Sequence, residues 1–214
     1  MKYFASGLLF DNDGVLVDSH EAARIGWEQW SKEFAPDFFW DLPENNGVRA
    51  EDKVRQLVAA ELFETANNRI NELEQLSAGS TIALPGAVEL IRSLREGTWT
   101  VCTSANPELG RARLLAAGLI VPKELVTAAD VANGKPHPDP YLLGAERLGF
   151  APEDCVVFED AAAGAEAAIA AGVGLVVGVS EKALDTEADI VVRDLVGITF
   201  DGDELVIPDK NRLR

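Results

Sequence analysis

The sequence is short of cysteine, of basic residues and of long apolar runs. Cys102 and Cys155 are the only cysteines in 214 residues, each within an apolar run, and their spacing fits no zinc motif. We therefore expect two reduced core thiols rather than a disulfide. No apolar run is long enough to span a bilayer, and residues 1–10 lack the apolar stretch of a signal peptide. These absences predict a cytoplasmic chain with no membrane partner.

Positive charge is also scarce. The chain has 19 Lys and Arg residues against 36 Asp and Glu, a formal net charge of −17. Such a balance argues against nucleic acid or an anionic membrane surface as partner. The length suits one sizeable core, or a core domain with a small second unit. Internal repeats and low-complexity tracts are absent.

Short apolar runs alternate with helical patterns over most of the chain. This alternation predicts an α/β fold with a doubly wound, mostly parallel sheet. The expected strands are residues 8–10, 99–102, 125–127, 155–158, 175–177 and 190–192, and the expected helices are 87–94, 107–117, 140–148 and 162–171. Residues 198–207, with Asp201-Gly202 between apolar runs, predict a terminal hairpin.

A different pattern interrupts this alternation after the first strand. Residues 19–79 have helical periodicity and almost no strand signal, with expected helices at 21–34, 49–60 and 62–76 and a loop at 37–46. Ser19 is the expected N-cap of the first of these helices. We predict an inserted all-helical unit at 17–81 in a core made of 1–16 and 82–214, with hinges at 15–17 and 81–85.

Polar side chains follow four of the predicted strands. Asp11 and Asp13 follow the first, Thr103 and Ser104 the second, Lys135 lies beyond the third, and Glu159 and Asp160 follow the fourth. Each alone is more typical of a turn, a helix cap or a solvated loop. Parallel strands bring their carboxyl ends to one edge, so together these residues predict a site. Four carboxylates there require a cation, and oxygen ligands with few neighbours suit Mg²⁺.

The spacing of the first pair indicates a chemistry. Residues i and i+2 of an extended chain point the same way, so Asp11 and Asp13 can face one pocket while Asn12 turns away. One carboxylate can attack phosphorus, and the other can protonate the leaving oxygen and then deprotonate water. Lys135 and Ser104 can donate to phosphoryl oxygens, and Gly14 lets the backbone approach them.

Four ordered motifs, FDNDGVLVDS, VCTSANP, GKPHPDPY and VVFEDAAAGAEAA, together resemble the haloacid dehalogenase superfamily. The resemblance is to its phosphatases with a helical C1-type cap, similar to sugar- and polyol-phosphate phosphatases and to β-phosphoglucomutase. It implies a Rossmann-like core and a cap domain at 17–81. It also implies that Asp11 is the nucleophile and Asp13 the general acid/base. Asp11, the Asp13 carbonyl and Asp160 would hold Mg²⁺ with Glu159 close by, and Lys135 would pair with nucleophile and phosphate.

The resemblance also suggests where substrate binds. Ser104 is favoured over Thr103 as the phosphate-binding hydroxyl, with Gly14, Ala105 and Asn106 beside it. The cap stretch GVRAEDKVR, residues 47–55, is similar to the segment that contacts substrate in sugar-phosphate members. Arg49 is the first candidate there, with Arg55 and Glu21 behind it. A solvated helix face is an equally good interpretation of both arginines.

Three functions are consistent with these residues. The favoured one is a Mg²⁺-dependent phosphomonoesterase, expected as a monomer, acting on a small phosphorylated sugar or polyol. A phosphosugar mutase is the alternative, but its cap histidine would fall at Ala23, and His20 is out of register by three. A phospho-receiver places its acidic pair and its phosphoacceptor on different strands, unlike Asp11-x-Asp13. Asp13 also disfavours a dehalogenase, which lacks the second aspartate.

Overall fold

The structure is a computed structural model that describes residues 1–40 and 45–214. Its strands are β1 (Lys2–Phe4), β2 (Gly7–Phe10), β3 (Val17–Asp18), β4 (Ile82–Ala83), β5 (Trp99–Val101), β6 (Cys155–Glu159), β7 (Leu175–Val179), β8 (Ile190–Val192), β9 (Thr199–Phe200) and β10 (Glu204–Val206). Its α-helices are α1 (His20–Phe34), α2 (Ala50–Leu57), α3 (Phe63–Ser77), α4 (Ala87–Ser93), α5 (Pro107–Ala116), α6 (Asp139–Leu148) and α7 (Ala162–Ala170).

A parallel five-stranded sheet in the order β5-β2-β6-β7-β8 forms the centre of the molecule. Phe10, at the end of β2, is in register with Val101 on one side and Phe158 on the other. Chain order therefore reverses beside β2, and such a switch point is where doubly wound sheets bind ligands. The predicted α/β class is confirmed.

Alternate residues of β2 belong to two separate cores. Leu8 and Phe10 pack in a cluster that includes residues of α4 and α5, whereas Leu9 packs with Tyr141 of α6 and Ala168 of α7. Successive strand residues point to opposite faces, so helices cover both faces and all three side chains are fully buried.

Of two further strand predictions, one is confirmed and one is wrong. The hairpin expected at 198–207 is confirmed, because β9 and β10 pair antiparallel and β1, which the sequence analysis did not predict, extends their sheet. The strand expected at 125–127 is wrong. Val126 forms a single bridge with Cys102, and Thr127 then caps a short 3₁₀ helix at Ala128–Asp130.

The helices α1, α2 and α3 pack around a core of their own, which includes Trp27, Trp30, Val54 and Ile70. We call residues 20–77 the helical segment. Val17 of β3 pairs with Ala83 of β4, so the chain leaves and re-enters the α/β part through one antiparallel pair. The domain limits at 17 and 81 remain predictions. Of the loop predicted at 37–46, residues 41–44 lie outside the described residues.

Among residues 1–40 and 45–214, none of the helices combines the length and apolar character that a bilayer crossing requires.

Candidate active site

Asp11 extends the line of β2 by one residue and lies where the sheet ends. Its amide donates to the carbonyl of Phe158 at 2.9 Å, which ties it to β6, and the residue is 4% exposed. Lys135 Nζ lies 2.6 Å from Asp11 Oδ1 and 2.6 Å from Glu159 Oε1. The loop before α6 thus brings a buried ammonium between carboxylates at the ends of two neighbouring strands.

Glu159 has all its acceptor positions filled by protein donors. Besides Lys135, its Oε1 accepts from the Tyr141 hydroxyl at 2.7 Å. Its Oε2 accepts from the amides of Asp160 at 2.9 Å and Ala161 at 3.2 Å. A carboxylate offers about four lone-pair sites. These contacts favour a role for Glu159 as an anchor of Lys135 rather than as a metal ligand.

Asp11 and Asp160, which lie beside Glu159, suit a metal ion. Single oxygens of Asp11, Glu159 and Asp160 lie within 4.8 Å of one another, and within the described residues no hydrogen-bond donor is directed at the Asp160 carboxylate. Gly14, at φ 87°, brings the backbone so close that a Cβ there would overlap this carboxylate. Oxygen donors of this kind are those that Mg²⁺ prefers, so the residues fit the ion.

The electrostatics also call for a cation. Burial raises the pKa of Asp160 well above its usual range, and Glu159 and Asp11 add to the effect. Burial likewise raises the pKa of Asp11 to about 7, with Lys135 opposing the rise and Glu159 and Asp13 adding to it. Burial lowers the pKa of Lys135, but the two carboxylates outweigh it and raise that pKa above the ordinary value. Lys135 is therefore charged, yet one ammonium leaves the acidic cluster undercompensated.

Asp13 faces a buried cation that the sequence analysis missed. Arg113 Nη1 lies 3.1 Å from Asp13 Oδ1, and Arg113 Nη2 lies 3.2 Å from Glu74 Oε1. Ser19 donates its hydroxyl to the same Asp13 oxygen. Ser19 is the N-cap residue of α1, as predicted, but its side chain makes no helix-capping bond. The Ser19 hydroxyl donates to the Asp13 carboxylate instead of bonding at the start of the helix.

In the motif VCTSANP, the side chains of Thr103, Ser104 and Asn106 make different contacts. Ser104 lines the cavity, and its hydroxyl donates to the carbonyl of Gly47 at 2.7 Å. Thr103 is buried and accepts from the Ala105 amide at 3.1 Å, so it keeps its own proton for donation. Asn106 caps α5 by accepting from the Leu109 amide at 2.8 Å.

Of the substrate-binding residues predicted in the helical segment, Arg49 lies in the cavity wall and Glu21 does not. Arg49 lines the cavity and pairs with Asp52 at 2.6 Å, while it also donates to the carbonyls of Val131 and Ala132. Glu21 points to solvent and pairs with Arg24, outside the cavity. The structure therefore brings Arg49 to the site and leaves Glu21 away from it.

A cavity of about 300 Å³ opens above Asp11 and Asp160, between the sheet edge and the helical segment. Trp27, Trp40 and Ala105 contribute apolar walls. Ser180 and Lys182 line it too, although the sequence analysis did not select them. Ser180 directly follows β7 and has a positive φ of 76°, a strained conformation that clusters at functional sites.

The family model of haloacid dehalogenase-like hydrolases matches residues 5–172 of this chain. The chain belongs to that family. Among curated relatives, Hexitol phosphatase A of Escherichia coli strain K12 is 40% identical over 204 residues, covering 90% of this chain and 93% of that protein. Glycerol-1-phosphate phosphohydrolase 2 of Saccharomyces cerevisiae is 31% identical, covering 91% of this chain and 84% of that protein.

The fold of the family is also found in solved structures. A β-phosphoglucomutase from Clostridium difficile has a TM-score of 0.77 at 21% identity and covers 89% of this chain and 92% of its own. At that identity the likeness concerns the fold alone. The predictions that the chain is a haloacid dehalogenase-like hydrolase and a phosphatase are confirmed.

Proposed function

We propose that the chain is a Mg²⁺-dependent phosphomonoesterase that hydrolyses a small sugar or polyol phosphate through an aspartyl-phosphate. The observation that carries the proposal is the Asp11 carboxylate at the sheet edge. Its Oδ1 is held by Lys135 at 2.6 Å, and its side chain borders the cavity beside Asp160. One held oxygen fixes the carboxylate and leaves the other to attack.

In the first half-reaction, an Asp11 oxygen forms a bond to phosphorus while the bond from phosphorus to the substrate oxygen breaks. Asp13 gives its proton to that oxygen, so the product leaves as an alcohol. Lys135 and a hydroxyl of Thr103 or Ser104 stabilise the charge on the phosphoryl oxygens. In the second half-reaction Asp13 accepts a proton from water, which attacks phosphorus and releases Asp11.

Asp11, Asp160 and the Asp13 carbonyl are the residues that would hold Mg²⁺. When bound, the ion would supply positive charge that offsets the repulsion between carboxylate and phosphate. This proposal rests on the Asp160 carboxylate, which accepts no hydrogen bond from the described residues, and on the raised pKa of Asp11, about 7, which a nearby cation would lower.

The substrate class is proposed from the relatives and from the cavity. Hexitol phosphatase A and Glycerol-1-phosphate phosphohydrolase 2 both carry polyols in their names. The cavity of about 300 Å³ is the size of a small metabolite site and combines indole walls with Asn46 and Lys182, whose side chains can hydrogen-bond hydroxyls. The mutase alternative is not favoured, because these relatives are phosphatases.

The test is phosphate release from hexitol, glycerol and hexose phosphates, with Mg²⁺ or with excess chelator. We expect release that needs Mg²⁺ and disappears in Asp11→Asn, while Asp185→Asn, a change at an exposed aspartate, keeps wild-type activity. Release that persists in Asp11→Asn would contradict the role of Asp11 as nucleophile.

A trapping experiment tests the intermediate itself. Asp13→Asn should react with an aryl phosphate, whose leaving group needs no proton, and should then fail to activate water. The intact mass of acid-quenched Asp13→Asn should therefore increase by one phosphoryl group, and Asp11→Asn should show no increase. An unmodified Asp13→Asn that still releases the phenol would count against the intermediate.

A further inference from the structure

Arg113 occupies a position that the reaction described above does not explain. It lies on α5, is 5% exposed and reaches the cavity beside the proposed acid/base. Burying a guanidinium is unfavourable unless carboxylates pair with it. Its two partners come from different parts of the molecule, Asp13 from the sheet edge and Glu74 from α3 of the helical segment.

Hydrogen-bond donors among the described residues restrain one carboxylate oxygen of Asp13 but not the other. Arg113 and Ser19 both donate to Oδ1. Within residues 1–40 and 45–214 no donor is directed at Oδ2. A carboxylate held by two donors on one oxygen cannot rotate freely, so its second oxygen keeps a fixed direction. That second oxygen is the one available to carry the proton.

Glu74 in turn holds the guanidinium. Arg113 Nε has no partner among the described residues, so the two carboxylates alone restrain this end of the side chain. Glu74 is itself buried, and Arg113 is its cationic partner. Loss of Glu74 would therefore let the Arg113 guanidinium move relative to Asp13.

We propose that Arg113 is a positioning residue for the Asp13 carboxylate and that Glu74 of the helical segment holds the Arg113 guanidinium in place. Proton transfer to the leaving group then depends on a residue outside the α/β core. The inference rests on the proposed function, since it assumes that Asp13 acts as the general acid.

The leaving group provides the test, because only a poor one needs the acid. Release of a polyol requires a proton from Asp13, whereas p-nitrophenyl phosphate releases a stable phenolate without one. The ratio kcat/KM reports steps up to the first irreversible one, formation of the phosphoenzyme. It should be measured for both substrates in wild type, Arg113→Met, Arg113→Lys and Glu74→Gln. Arg111→Met, at an exposed arginine on the same helix, is the matched control.

We expect Arg113→Met to lower kcat/KM for a hexitol phosphate about tenfold or more, and that for p-nitrophenyl phosphate by less than about threefold. Arg113→Lys should recover part of the loss, Glu74→Gln should show it more weakly, and Arg111→Met should not show it. Equal losses on both substrates would mean that Arg113 only ties the helices together, and would overturn the inference.

A double variant and the activity of the wild type distinguish a failure to fold, a failure of the proposed function and a failure of the role of Arg113. If Arg113→Met fails to fold because Glu74 is left buried and unpaired, the double variant Arg113→Met, Glu74→Leu removes both charges. It should fold and show the same selective loss. A wild type that releases phosphate from no alkyl ester would overturn the proposed function, whereas an active wild type without leaving-group selectivity in the variants overturns only the role of Arg113.

Discussion

Asn12 lies between the two aspartates of the site, and its fully buried side-chain amide has no hydrogen-bond partner among the described residues. Its backbone carbonyl, in contrast, accepts from the amides of Leu16 and Val17 at 2.9 and 3.0 Å. The loop therefore uses the main chain of Asn12 and not its side chain. An unpaired buried amide costs roughly 1–3 kcal/mol.

Asn12→Leu should consequently stabilise the protein. Leucine has the same number and branching of side-chain heavy atoms and no polar atoms to desolvate, so we expect the free energy of unfolding to rise by about 1 kcal/mol. Urea unfolding monitored by circular dichroism measures this, with Asn12→Ala as the variant that removes the amide without filling its space. A lower unfolding free energy for the leucine variant would show that the amide is paired in solution.

The two thiols should be inert in the folded protein. Burial raises the pKa of Cys102 to about 12 and the pKa of Cys155 to about 12. Since the thiolate is the reactive form, a raised pKa lowers its fraction at pH 8. Ellman's reagent should label neither cysteine in native protein and both after denaturation. Rapid labelling of the native protein would contradict the burial of these side chains.

The sequence was enough to group the residues proposed to react, but not to find the residues that support them. Asp11 and Asp160 follow from the rule that polar residues after parallel strands share one edge. Lys135 reaches the same edge although the strand predicted before it is reduced to a single bridge at Val126. Arg113 and Glu74 lie on helices whose spacing does not reveal which side chains meet in space. Ser180 was missed because the predicted strand ended at residue 177, whereas β7 continues to Val179 and places Ser180 at the same edge.

At the scale of elements, the start of α7 approaches the end of β6 so closely that only glycine fits. A Cβ on Gly164 would overlap the Glu159 carboxylate. The same carboxylate anchors Lys135. The helix can therefore begin beside the site because its third residue has no side chain.

Gly164→Ala should displace Glu159 and, through it, Lys135. We expect kcat to fall about tenfold or more, since displacing a positioned group by about 1 Å can cost as much as a hundredfold, with α-helix content unchanged by circular dichroism. Gly79→Ala is the control, because no atom lies within 4 Å of a Cβ there. Wild-type kcat in Gly164→Ala would show that Glu159 can shift without moving the ammonium.

The elements could be predicted to different extents for physical reasons. The central strands β2 and β6 are fully buried on both faces and read as continuous apolar runs. β1 is a three-residue edge strand with Phe4 exposed, so it lacks that pattern. At 125–127 the apolar run is real, but Asp130 accepts from the Thr127 amide and ends the extended chain after one bridge.

At the scale of the whole molecule, the proposed Mg²⁺ site at the acidic cluster should couple metal binding to folding. Mg²⁺ at 100 times its dissociation constant should stabilise the folded state by about 2.7 kcal/mol. Thermal unfolding with and without Mg²⁺ measures this. Asp160→Asn should lose the gain, and Asp185→Asn should keep it. An equal gain in Asp160→Asn would place the ion elsewhere.

The same cluster sets the direction of the pH dependence. Burial raises the pKa of Asp11 to about 7, so the metal-free folded state holds a proton that the unfolded chain has lost. Stability should then decline as pH rises from about 4 towards 7, and the gain from Mg²⁺ should grow over that window. Melting temperatures across this range with chelator or Mg²⁺ provide the check, and a gain that shrinks with pH would contradict it.

Three of the four tryptophans belong to the helical segment. Trp27 and Trp40 stack with ring centroids 5.3 Å apart, and both border the cavity, whereas Trp99 lies in the sheet. Two of the four tryptophans therefore lie in the cavity wall, where a bound ligand should change their ultraviolet emission. Intrinsic tryptophan fluorescence should therefore report ligand binding in the cavity, and ligand titrations need no added dye.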